Sequence, residues 1–134
     1  MKFMLMMHAP RGTGDWQVMS WAPQDLKAHI RFMKDLNVEL VAAGQLVGAE
    51  GLASPAEAKV VRATGRGTPA VTDGPFPEAK EFLAGYWIVE VDRPEDAYRI
   101  AAKASSAPGK GGVPLNMAIE VRQVYSTPPV TADV

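Results

Sequence analysis

Gly85-Tyr86-Trp87-Ile88-Val89-Glu90-Val91-Asp92-Arg93-Pro94-Glu95-Asp96 carries a strand and a helix start in one unbroken stretch. Tyr86 and Ile88 alternate with Trp87, Val89 and Val91, and aromatic and β-branched residues at a period of two read as a strand. Asp92 then reads as the cap of a helix opening at Pro94, whose fixed φ and missing N–H suit a first turn. Glu95 and Asp96 complement the positive end of that helix. Ala97, Ile100, Ala101 and Ala104 form a narrow face of small residues, fitted to close packing on a sheet.

The same reading extends outward in both directions. Lys2 to His8 is almost continuously apolar and predicts a central, covered strand. Pro10, Gly12 and Gly14 end it, and Ala9 to Ala22 is a loop whose Trp16, Met19 and Trp21 are too apolar to hang in water. That loop is expected to cover an apolar surface or a cavity mouth. Pro23 opens a helix over 23–43 in which Leu26, Ile30, Met33, Leu36, Leu40 and Ala43 share one face, with Gly44 as its left-handed terminator. Gln45 to Leu52 reads as a second strand. Lys59 to Ala63 and Thr68 to Thr72 flank Gly65-Arg66-Gly67 as a hairpin. After a glycine- and proline-rich loop at 105–114, Met117 to Tyr125 alternates as a strand with one wet face.

The element order is β-α-β, hairpin, β-α-β, which predicts an α+β protein: a ferredoxin-like βαββαβ fold with an inserted hairpin. Residues 1–126 form one domain and 127–134 a flexible tail. Both helices fall on one face of the sheet, so the other face needs a cover. With only long loops left over, pairing with the sheet of a second copy supplies it, and a homodimer is expected.

Composition narrows the function classes. The chain has 134 residues and a net charge of −1, with Lys and Arg scattered rather than clustered. Nucleic-acid binders show a basic stripe, so neither nucleic acid nor an anionic membrane is an expected partner. There is no cysteine, which removes disulfides, thiolate metal sites and a cysteine nucleophile. The apolar run at the N-terminus is too short for a signal peptide, and no window matches a membrane span, so a soluble, cytoplasmic protein is expected. No spacing of histidines and carboxylates calls for a metal, and no glycine-rich loop calls for a nucleotide cofactor.

Two histidines and one aspartate stand out. His8 ends the first strand beside a glycine-rich loop, where it can serve as acid, base or a locally bonded side chain. His29 falls inside the apolar arc of the first helix, between Leu26, Ile30 and Met33, with Asn37 near the same face. An imidazole there needs a polar partner, supplied by the sheet or by a cavity. Asp73 lies in Thr72-Asp73-Gly74-Pro75-Phe76, which reads first as a turn: Asp bonds its own backbone, Gly takes positive φ, Pro fixes φ. Buried, the same Asp73 becomes a candidate base or ligand anchor. Glu50 and Arg62, on neighbouring predicted strands, can pair as ions. They join Trp16, Trp21, Met33 and Phe76 as candidate ligand contacts.

Val71-Thr72-Asp73-Gly74-Pro75-Phe76 with Glu78, Lys80 and Glu81, then Gly85-Tyr86, resembles the DGPF-motif branch of the YCII-related family. Ala42-Ala43-Gly44-Gln45-Leu46 with Gly48-Ala49-Glu50-Gly51-Leu52, the pair Val61-Arg62, and Ile119-Glu120-Val121-Arg122-Gln123-Val124 match further blocks in order, from Lys2 to about Val124. The resemblance implies a dimeric α+β barrel. It also implies the chemistry of relatives, among them a dehydrochlorinase of a chlorinated hydroquinone and a proposed His–Asp pair. That pair would fall near Met33 and Ala42, which are neither His nor Asp; His29 stands one helical turn before Met33.

Two readings follow. In one, a small molecule binds in a cavity at or near the dimer interface, with acid–base chemistry of a lyase kind by Asp73 and His29 or His8. In the other, the chain is a regulatory module partnering an extracytoplasmic-function sigma factor, an association implied by the resemblance alone.

Overall fold

The structure, a computed structural model, describes residues 1–11, 20–76 and 79–125. Trp16, Met19, Glu78 and the 127–134 tail lie outside the described residues. The elements are β1 (Lys2–Pro10), α1 (Pro23–Ala42), β2 (Leu46–Gly51), β3 (Lys59–Arg62), β4 (Ala70–Asp73), β5 (Glu81–Glu90), α2 (Pro94–Ser105) and β6 (Ile119–Val124).

Four strands make one sheet in the order β2-β5-β1-β6, with every neighbouring pair antiparallel. β5 lies between β1 and β2, and β1 lies between β5 and β6, so each helix crosses over one intervening strand. Two interleaved split β-α-β units of this kind are compatible with a ferredoxin-like fold. β3 and β4 pair with each other in a separate two-stranded sheet, Lys59 opposite Asp73 and Val61 opposite Val71. No described helix is long and apolar enough to cross a membrane.

Alternation decides what each face of the sheet meets. Phe3, Leu5, Met7 and Ala9 of β1 and Gly85, Trp87 and Val89 of β5 are buried on the helix side. Phe3, Leu5, Met7, Trp87 and Val89 pack with Leu36 and Leu40 of α1 and Ala97, Ala101 and Ala104 of α2. The alanine stripe read from the sequence is thus the buried side of α2. An ion pair from Lys103 to Glu39 ties the two helices together at the surface.

The end of α1 follows from Gly44, whose φ of 70° is open to glycine at no steric cost. Gly44 N–H donates to the Val41 carbonyl and Gln45 N–H to that of Leu40, the two bonds of a Schellman terminator.

Several local expectations need correction. β1 continues to Pro10 because β5 starts at Glu81, upstream of the aromatic run, and offers partners across a bulge at Met7/His8. The cap of α2 is Arg93, not Asp92. Arg93 has the extended backbone of a cap (φ −138°, ψ 151°) but makes no side-chain cap bond. Asp96, inside the first turn, instead pairs with Arg93 and Arg99. Gly74 does not take positive φ. Its requirement is space: an added Cβ would lie 3.2 Å from Val60 and 3.3 Å from the Ala58 backbone. Glu50 and Arg62 are not on neighbouring strands, since β2 and β3 belong to different sheets, and they make no ion pair. Ile30 is 43% exposed and Ala43 is exposed, so the apolar arc of α1 is fully buried only at Leu36 and Leu40, with Met33 partly buried against the core.

Candidate functional site

The partial seating of α1 leaves a recess beneath it. Leu36 and Leu40 hold the C-terminal half of the helix against the core. Under the other half the sheet presents small residues, Ala9 of β1, Ala49 of β2, and Ala84 and Gly85 of β5. Small side chains leave a gap that the helix does not fill. The result is a cleft of about 1040 Å³, roofed by Leu26, His29, Met33 and Asn37. That volume is at the upper end of the ~300–1,000 Å³ range of small-molecule sites. Gly85 is needed for the floor: an added Cβ would come within 2.9 Å of the Glu50 carbonyl oxygen on β2.

Two polar side chains in this roof are oriented by partners outside it. His29 Nδ1 lies 3.0 Å from the Pro108 carbonyl oxygen. The Trp21 ring meets the imidazole edge-on, with centroids 5.5 Å apart and planes at 81°. Pro108 itself sits in the 105–114 connection, which Asp25 draws to α1 by accepting the Gly111 N–H at 2.9 Å. Asn37 Oδ1 accepts a hydrogen bond from the Trp87 indole N–H at 3.0 Å. Side chains held this way lose little freedom when a ligand arrives.

The cleft is lined by His29 and Met33 of α1 and by Glu50 of β2, whose register opposite Tyr86 turns its side chain to the other face of the sheet, and Trp21, 6% exposed, backs His29. The remaining candidates lie elsewhere. His8 shares a 3.0 Å contact with Glu120 Oε1, at the edge of the sheet face that the helices leave uncovered. Arg62 is exposed on β3. Phe76 is 55% exposed beside a smaller hollow of about 420 Å³ lined by Leu52, Pro55 and Phe82. Its carbonyl accepts from Arg11 at 2.9 Å. Among the described residues no cluster of histidines and carboxylates is arranged to hold a metal ion.

Asp73 is at the end of β4, its side chain 87% exposed and its Oδ1 2.6 Å from Lys59 Nζ. The hydrogen bond from Lys59, then the charge of that ammonium, hold the carboxyl below its usual range. A depressed carboxylate stabilises the fold above its ordinary pKa, and the contribution is lost as pH falls through the lowered value. Such a surface pair is weak. Asp73→Asn is expected to leave the thermal midpoint and the cleft unchanged at neutral pH. A thermal melt and a ligand titration check this, and a clear loss of binding would bring Asp73 into the site.

Sequence reasoning found His29 and Met33 through the helical period. The Asn37–Trp87 bond and the Pro108 carbonyl join residues far apart in the chain, and no local pattern announces them. A family model, that of the YCII-related domain, matches residues 1–113. β6 lies beyond the matched stretch. No curated protein matches the chain.

Proposed function

We propose that this chain, which belongs to the YCII-related domain family, binds a small, largely apolar molecule in the cleft between α1 and the sheet. The observation that carries the proposal is the pair of fixed polar side chains on α1, His29 and Asn37, in a recess walled mainly by apolar residues, with Ser20 and Ser54 also lining it. Few, oriented polar groups in an apolar cavity are the usual make-up of a small-molecule site. His29 is the group in it suited to acid–base work. The string Asp73-Gly74-Pro75-Phe76, at the end of β4, supports placement in the DGPF branch.

Titration with 2-acetylnaphthalene, followed by the NMR signal of the Trp87 indole N–H, tests the site. Met33→Trp adds bulk to the roof and is expected to weaken that binding at least ~10-fold while the far-UV spectrum is retained. Unchanged binding in the variant, or no shift of the Trp87 signal in the wild type, would sink the proposal.

Assembly is the second part of the proposal. Met4, Met6, Tyr86 and Ile88 alternate away from the helices and are half-buried on an uncovered sheet face. Lys2, Glu90, Glu120 and Arg122 lie near them in the strand register, with charges of both signs on one surface. An apolar centre with a mixed rim is self-complementary about a twofold axis, and a second copy is the proposed occupant.

A further inference from the structure

We infer that the cleft, taken as a ligand site in the sense just proposed, selects an uncharged molecule that donates a hydrogen bond to His29 Nε2 and accepts one from Asn37. The inference rests on the partners that the two side chains already have. A backbone carbonyl only accepts, so the 3.0 Å contact with Pro108 requires the proton on His29 Nδ1. A neutral imidazole carries one N–H, so Nε2 is then a bare lone pair. No described residue bonds Nε2. An indole N–H only donates, so Trp87 fixes the Asn37 amide with Oδ1 toward the indole. The Asn37 Nδ2 group is left with two N–H donors. These two α1 side chains therefore offer one acceptor, His29 Nε2, and one donor group, Asn37 Nδ2, both set by tertiary contacts.

Position and charge complete the specification. His29, Met33 and Asn37 follow at intervals of four on one helix face. Eight residues of α-helix rise about 12 Å, which separates the two polar points and puts the methionine between them. Among the described residues lining the cleft there is no lysine and no arginine. An anion entering it would lose hydration without gaining a counter-charge. Glu50 is the carboxylate among them, and its register opposite Tyr86 assigns its side chain to the other face of the sheet. The ligand class is then an elongated, neutral, mainly apolar molecule with a weakly acidic hydroxyl at one end and a carbonyl at the other.

Three matched probes test this: 6-acetyl-2-naphthol, 2-acetylnaphthalene, which lacks the hydroxyl, and the anion 6-acetyl-2-naphthoate. The hydroxyl is expected to tighten binding about 10-fold over 2-acetylnaphthalene, a hydrogen bond to a prepared acceptor. His29→Phe is expected to abolish that advantage while 2-acetylnaphthalene still binds, and the naphthoate is expected to bind weakest. Equal affinity of the hydroxylated and plain ketones, or tightest binding of the naphthoate, overturns the inference and leaves the cleft standing as a site. Failure of all three probes removes the site and the inference with it. A ligand-free readout decides the tautomer separately. In a His8→Gln variant, ¹⁵N spectra recorded with the remaining ring neutral should show Nε2 unprotonated, and a protonated Nε2 overturns the inference whatever the probes do.

Discussion

Leu5→Ala is expected to lower the unfolding free energy by about 3 kcal/mol, within the ~2–5 kcal/mol range of leucine truncations in cores. Leu5 is 0% exposed, at the middle of β1, with Trp87 opposite it on β5 and Val121 on β6. β1 is an inner strand of the four-stranded sheet, so a void at its centre touches the packing of both neighbours. Trp87 is further held by its bond to Asn37, which limits how far the site can collapse to refill the space. For a chain of this size the loss corresponds to a fall of roughly 10 °C in Tm. Chemical denaturation with calorimetry measures both quantities. Val61→Ala is the control: Val61 is 60% exposed on the hairpin, and its truncation should stay within ~0.5 kcal/mol. A Leu5→Ala cost below about 1 kcal/mol would mean that the helix layer does not close over β1 as described.

How much of this was legible depended on the range of the interaction. Periods of two and of 3.6 are local, so the β1, β5 and β6 strands and both helices could be read from their own residues. Gly44 was legible because a Schellman end needs one residue with positive φ just past the helix. Asp92 was misread as a cap because aspartate is a favoured cap residue and arginine is not, whereas the extended backbone puts the cap at Arg93, immediately before Pro94. The start of β5 at Glu81 was missed because Glu81 and Phe82 join the sheet through Pro10 and Ala9 rather than through strand propensity.

The cleft shows the same division. His29 and Met33 were found from the face of α1 that they share. The floor was not, since Ala9, Ala49 and Ala84 come from three strands and an alanine carries no signal alone. Ile30 illustrates the link between the two. A helix read as uniformly amphipathic buries Leu36 and Leu40 fully and Met33 only in part, and Ile30 is left 43% exposed. The missing packing in the first half of α1 is the same fact as the space beneath it. A helix seated along its whole length would bury more apolar surface, by ~25 cal/mol per Å², but would have no site.

Met4→Lys is expected to dissociate the homodimer proposed for the uncovered sheet face, raising its Kd at least ~100-fold. Met4 lies on the inner strand β1, between Ile88 of β5 and Arg122 of β6, and faces away from the helices. Two stacked sheets approach to about 10 Å, which leaves no water layer around a side chain at the centre of the contact. An ammonium there loses its hydration, and its direct cross-strand neighbour is the like-charged Arg122. In the separated chain the same lysine reaches solvent, so the far-UV spectrum should be unchanged. Sedimentation equilibrium of the wild type, Met4→Lys and Val38→Lys makes the comparison. Val38, 66% exposed on the outer side of α1, reports the effect of an added lysine away from the sheet. A dimer in the wild type and in Val38→Lys, with a monomer in Met4→Lys, assigns the interface to this face. A dimer that survives Met4→Lys would place the contact elsewhere. A wild-type monomer would leave Met4, Met6, Tyr86 and Ile88 as an open apolar face, and the pairing of two sheets would have to be abandoned.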